Sequence, residues 1–110
     1  MKALVCSELG STQDLTLETR DDLEPAAGEV LIDVKAAGVN FPDILTVEGK
    51  YQFKPPLPFI PGTEVSGVVT KLGEGVTTRQ VGDEVVGMVQ TGAFATQVVT
   101  SEYTTFPKGD

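Results

Sequence analysis

The chain has 110 residues, enough for one domain with one modest core, and its 40% hydrophobic and 22% charged content is ordinary for a soluble globule. A formal net charge of −8 argues against nucleic acid and anionic membrane as partners, because both demand basic patches. No apolar run approaches the ~20 residues that span a bilayer, Met1–Glu8 meets an acid too early for a secretory leader, and a lone cysteine cannot close an internal disulfide, so a cytoplasmic home is expected.

Lys2 to Cys6 reads as a first strand, with Cys6 a buried core thiol. A turn at Gly10–Asp14 precedes a half-exposed strand in which Leu15, Leu17 and Thr19 alternate with Thr16, Glu18 and Arg20. Asp21 and Asp22 end it as a solvated edge that discourages aggregation. After a turn at Pro25–Gly28, Val30, Ile32, Val34 and Ala36 share one face while Asp33 and Lys35 lie on the other. That pattern predicts a central strand with one wet face.

A short helix is predicted over Phe41–Glu48. Asn40 is a preferred N-cap, Asp43 three residues on makes an imperfect capping box, Pro42 is tolerated in a first turn, and Gly49 suits the position just past the end. At eight residues it is too short to stand alone, so packing must hold it, and Phe41, Ile44 and Leu45 are its expected buried side chains.

Lys50 to Pro58 is a proline-rich loop carrying Tyr51 and Phe53, the latter read as packing. The Pro61-Gly62 turn then leads into a small-residue, β-branched strand, Val65–Leu72, with Glu64 at the junction. An acid at the threshold of a strand is either a solvated turn residue or a group placed at a site. Gly73-Glu74-Gly75 turns the chain, Gly82-Asp83 turns it again, and Glu84–Val89, Ala93–Thr100 and Tyr103–Phe106 complete the strands, with Phe94, Val98 and Val99 as core candidates and Pro107–Asp110 as an exit. Many short strands with Gly/Pro turns and a single short helix define a mainly β antiparallel barrel or sandwich. No Gly-x-Gly-x-x-Gly phosphate-binding turn occurs.

The segment Pro61-Gly62-Thr63-Glu64-Val65-Ser66-Gly67-Val68-Val69 resembles the Pro-Gly-x-Glu-x-x-Gly-x-Val signature of the medium-chain dehydrogenase/reductase superfamily. Gly28-Glu29-Val30-Leu31, Gly38-Val39-Asn40-Phe41-Pro42-Asp43, Gly49-Lys50-Tyr51, Gly82-Asp83-Glu84-Val85 and Gly92-Ala93-Phe94-Ala95 agree in order. Within that superfamily the chain is most similar to the zinc-free quinone oxidoreductases, and the match covers nearly its whole length. The resemblance implies a GroES-like, partly open antiparallel barrel: the substrate-side domain, its N-terminal part, of an NADPH-dependent reductase. It also implies a Rossmann cofactor domain and returning C-terminal strands after residue 110, so the chain is expected to be a piece or short product, inactive alone, of an enzyme that is a homodimer.

The same resemblance assigns chemistry. Zinc-dependent relatives have Cys and His at the places of Asn40 and Thr63, and a cysteine-rich lobe where Met88-Val89-Gln90-Thr91 leads directly into Gly92; with no histidine and one cysteine, no zinc is expected. The implied reaction is hydride transfer from NADPH to a quinone or an activated alkene such as a conjugated carbonyl or enoyl thioester. Oxyanion charge would then be met by hydrogen-bond donors. Asn40 and Tyr51 are the implied catalytic residues, with Asn40 on the nicotinamide side and Tyr51 and Glu64 in the substrate pocket. Read locally, Asn40 is equally a plain helix cap and Tyr51 a loop aromatic covering the core. Leu45 and Val47 replace an aromatic and an arginine common in that family, making the pocket more apolar and less basic. A different class, a stand-alone GroES-like binding module, would need a mobile apolar loop, and the nearest candidate, Pro55 to Pro61, runs into the reductase signature.

Overall fold

A computed structural model describes residues 1–52 and 54–108. Among the described residues the strands are β1 (Lys2–Val5), β2 (Thr16–Thr19), β3 (Glu29–Ala37), β4 (Glu64–Leu72), β5 (Glu84–Met88), β6 (Gln97–Ser101) and β7 (Thr105–Pro107), with one α-helix, α1 (Phe41–Glu48). β1 and β2 form a two-stranded antiparallel sheet with Leu4 opposite Leu17. The other strands form an antiparallel sheet in the order β6-β3-β4-β5-β7. Register shifts between Leu31/Ile32 and Val34/Ala36 interrupt the β3–β4 ladder. Such irregularities bend a strand and sharpen its twist, and the sheet curls into the half-barrel of a GroES-like fold.

The alternation within the strands builds the core. Val30, Ile32, Val65, Val69, Val85, Ala93 and Val98 meet inside the curled sheet. A second cluster of Cys6, Val47 and Phe59, with Leu15 against it, fastens α1. Backbone bonds in both directions between Cys6 and Phe59, 2.7 and 3.0 Å, tie the end of β1 to the proline-rich loop.

Several expectations change. The face of β3 opposite Val30 and Ile32 is not wet throughout, because Leu31 is also buried. Leu17, on the alternating face of β2, is 68% exposed, since β2 pairs with β1 alone among the described strands. The strand expected from Ala93 begins at Gln97, because Ala93 and Phe94 donate their backbone N–H groups to the carbonyls of Gly62 and Pro61 instead of entering a ladder. Tyr103 lies in a 3₁₀ turn, Glu102–Thr104, before β7. Phe53 and the last two residues of the expected exit lie outside the described residues.

The bounds of α1 match the sequence reading, and Gly49 closes it in the left-handed conformation at φ 78°. Its buried face does not match. Asp43 and Val47 are buried, Leu45 is half-buried, and Phe41 and Ile44 are exposed. Positions 43 and 47 are one turn apart, so they lie on one stripe; Val47 docks on Cys6 and Phe59, while Asp43 accepts from the Asn40 N–H.

Candidate functional site

The start of α1 organises the polar groups. Asn40 occupies the N-cap position with extended backbone (φ −117°, ψ 157°), and its side chain faces the Asp43 N–H in a capping box without closing a bond of full hydrogen-bond geometry. The reciprocal bond is made: the backbone N–H of Asn40 donates to Asp43 Oδ2 at 2.8 Å. Asp43 therefore closes the first turn, and the Asn40 carboxamide is left exposed at its edge. Glu64 opens β4 half-buried, and its backbone carbonyl accepts the Gly38 N–H at 3.0 Å. A Cβ placed on Gly38 would stand 2.8 Å from Glu64 Oε1 and 3.8 Å from Asn40 Nδ2. The two side chains thus approach one another over Gly38, and a Cβ there would require the end of the Glu64 side chain to shift.

Tyr51 lies elsewhere. It lines a cleft of about 210 Å³ together with Pro42, Asp43 and Thr46 from α1, Pro61–Thr63 before β4, and Gln90 and Thr91 after β5. Neither Asn40 nor Glu64 lines it. Asp43 links the two places, because it accepts from Asn40 and forms part of the cleft wall. A second, more apolar groove of about 240 Å³ lies against the same aspartate, lined by Leu4, Leu15, Val39, Ile44, Val47 and Phe94 among others.

The walls of the first cleft are held by backbone. Val89 donates to Thr63 O at 2.9 Å, Gly92 to Ile60 O at 2.7 Å, Ala93 to Gly62 O at 3.3 Å and Phe94 to Pro61 O at 3.0 Å. So close an approach needs a glycine at position 62, where φ is 101° and a Cβ would stand 2.7 Å from both Ala93 Cβ and Phe94 Cδ1. The sequence signature around Pro61-Gly62 therefore has a packing cause in this chain. It lets the segment after β5 lie directly on the turn before β4.

Sequence reasoning singled out Tyr51 and missed Asp43, Thr46 and Gln90 as neighbours of it. A signal for Asp43 was its place three residues after the N-cap. For Gln90 it was the short connection between Met88 and Gly92. Away from the cleft, Cys6 is buried and donates to Glu8 O at 3.2 Å; burial pushes its thiol up, outweighing that bond. Among the described residues, no three His, Cys, Asp or Glu side chains gather as a metal-holding group, and no helix is long and apolar enough to cross a membrane.

Residues 26–110 match the model of the alcohol dehydrogenase GroES-like domain. The chain is 44% identical over 103 residues to quinone oxidoreductase-like protein 2 of Mus musculus, covering 94% of this chain and 29% of that protein. In structure it is similar to the human synaptic vesicle membrane protein VAT-1 homolog-like protein, with TM-score 0.96 and 35% identity, covering 100% of this chain and 36% of that one. It is similar also to a mycobacterial protein solved in complex with NADPH, with TM-score 0.91 and 35% identity, covering 100% of this chain and 34% of that one. The chain spans less than a third of the length of the curated relatives it matches first.

Proposed function

Because the chain belongs to the alcohol dehydrogenase GroES-like domain family, within the medium-chain dehydrogenase/reductase superfamily, we propose that it is the substrate-side domain of an NADPH-dependent, zinc-independent oxidoreductase acting on a quinone or another conjugated carbonyl. A separate cofactor domain would complete the enzyme. The observation that carries this is the cleft beside α1. The Tyr51 phenol, neutral polar side chains and the Asp43 carboxylate surround a space of one-ring size, with the exposed Asn40 carboxamide at the start of the same helix.

The residues here suit one end of NADPH and not the other. An exposed carboxamide can exchange hydrogen bonds with a nicotinamide amide. The diphosphate has no comparable place. The N-terminus of α1 already carries the Asp43 carboxylate, and the chain bears a net charge of −8. When bound, NADPH supplies the hydride. The chain's own task is then to hold the acceptor ring and meet the charge that develops on its oxygen. Tyr51 does both, its ring as a stacking wall and its hydroxyl as a donor. Asn40 and Thr63 stand where zinc-dependent relatives are expected to have Cys and His, and neither is a ligand of the N or S type that zinc favours. Asn40, beside Glu64 over Gly38, would face the nicotinamide, with Glu64 on the substrate side.

The rival, a stand-alone binding module, meets an obstacle at Pro55 to Pro61. Phe59 is buried in the cluster with Cys6 and Val47, which anchors this segment to the body of the domain, while Pro56, Leu57 and Pro58 remain exposed.

Tyr51→Phe in the enzyme encoded by the complete gene tests the proposal, because it deletes the hydroxyl and keeps the ring. With a neutral quinone and NADPH, kcat should fall by about 10²–10³ with little change in KM, as for the loss of one oxyanion donor. A near-neutral Tyr51→Phe beside a Tyr51→Ala that raises KM would leave Tyr51 a wall only, and the donor would have to be another group.

A further inference from the structure

The connection after β5 gives the cleft a second polar side. Val89 and Gly92 are fastened to Thr63 and Ile60 by backbone bonds of 2.9 and 2.7 Å. The two residues between them, Gln90 and Thr91, are therefore held in place and line the cleft with Thr63. The helix side of the same cleft carries Tyr51, Asp43 and Thr46, and Thr46 has already committed its hydroxyl to Pro42 O at 2.8 Å. Gln90 is exposed, and among the described residues no hydrogen bond holds its amide. It is a free donor on a fixed backbone.

Size and charge narrow what it can meet. A dry cavity of about 150 Å³ takes one benzene ring. The cleft, at about 210 Å³, has room for one substituted ring. Its one carboxylate is Asp43, and no lysine or arginine is among the residues that line it. An anionic ring would find a carboxylate and no cation. What fits is a neutral ring with a polar atom at each end.

Resting on the proposed reductase reading, we infer that Gln90 is a specificity-determining residue. It donates its amide N–H to the second carbonyl of a neutral single-ring quinone whose first carbonyl lies on the Tyr51 side. A conjugated ketone with only one carbonyl leaves Gln90 idle, so the residue separates quinones from simple enones without taking part in the hydride step.

The test pairs two probes, tetramethyl-1,4-benzoquinone with two carbonyls and 2-cyclohexen-1-one with one. In ¹H–¹⁵N spectra of the 110-residue chain, the quinone should shift the Gln90 side-chain amide and the Thr63 and Thr91 backbone signals, and Gln90→Leu should weaken its binding. In the enzyme from the complete gene, Gln90→Leu should lower kcat/KM roughly 3- to 10-fold for the quinone, the worth of one hydrogen bond, and leave the enone unchanged. Quinone titration without shifts at these residues, or equal losses on both substrates, would overturn the inference. If the complete enzyme turns over neither probe with NADPH while the quinone still shifts Gln90, the cleft stands as a quinone site and the reductase reading is what fails.

Discussion

At the level of single residues, the start of α1 separates two roles that the sequence presents together. Asn40 looks like the cap and Asp43 like its helper, but the bond that closes the turn is the one Asp43 accepts from the Asn40 N–H. Asp43 also sits in the helix's first turn, where a negative charge complements the backbone dipole. Removing the carboxylate removes both effects. Asp43→Ala should therefore cost about 1 kcal/mol or more in urea unfolding, the usual scale for a lost cap. Asn40→Ala should cost less than Asp43→Ala, because the Asn40 half of the capping box closes no bond of full hydrogen-bond geometry. The reverse order would mean that the Asn40 amide caps the helix in solution. Given the expected order, any kinetic effect of Asn40→Ala reads the carboxamide's part in the site and not a loosened helix.

At the level of elements, the strands and the helix were largely legible, while the faces they bury were less so. Asn40, Pro42 and Gly49 mark the ends of α1 by local chemistry that works in any context. Its buried stripe is set by Cys6 and Phe59, which are remote in sequence, and two turns of helix hold too few apolar positions to choose a face. For the same reason Tyr51 could be read from its motif, whereas Gln90 could not. Gln90 reaches the cleft only because the segment after β5 is laced to the turn before β4. Another contact between elements carries a pH dependence. Glu102, buried in the turn before β7, accepts from the Thr78 hydroxyl at 2.7 Å and from the Thr78 and Thr77 N–H groups at 3.3 and 3.4 Å. The Thr78 hydroxyl, with those N–H groups and Arg79 nearby, holds its carboxyl below the ordinary value of 4.5 against the opposing effect of burial. A lowered folded-state pKa means the contribution is complete above about 4.5 and is lost as pH falls through the folded value. Thermal unfolding followed from neutral to acid pH should show a steeper loss in the native chain than in Glu102→Gln, which keeps the shape and cannot titrate. Identical acid limbs would show that other carboxylates govern the loss.

At the level of the whole molecule, charge and shape together bear on how the proposed enzyme divides its cofactor. NADPH is strongly anionic, and this chain carries −8. A phosphate site could offset that repulsion only with a glycine-rich turn at a free helix N-terminus or with clustered basic groups. Among the described residues the one α-helix spends its N-terminal turn on Asp43, and Lys35 and Lys71 are each paired with an acid, Asp33 and Glu24, at 2.8 Å. On the proposed reading Asn40 meets the nicotinamide end, and one such contact is worth little beside the cost of immobilising a large flexible ligand. Titration calorimetry of the 110-residue chain with NADPH should accordingly give a Kd weaker than ~1 mM. Salt supplies a second sign. If repulsion dominates, moving from low ionic strength to about 0.1 M, where the screening length is about 10 Å, should leave binding unchanged or slightly stronger. A true phosphate site would weaken with salt, because its attraction would be screened. The two-domain enzyme that the proposal implies should bind NADPH far more tightly and show the ordinary salt sensitivity of a phosphate contact. Micromolar, salt-weakened binding by the 110-residue chain alone would place a phosphate site on this domain and overturn the division of the cofactor between two domains.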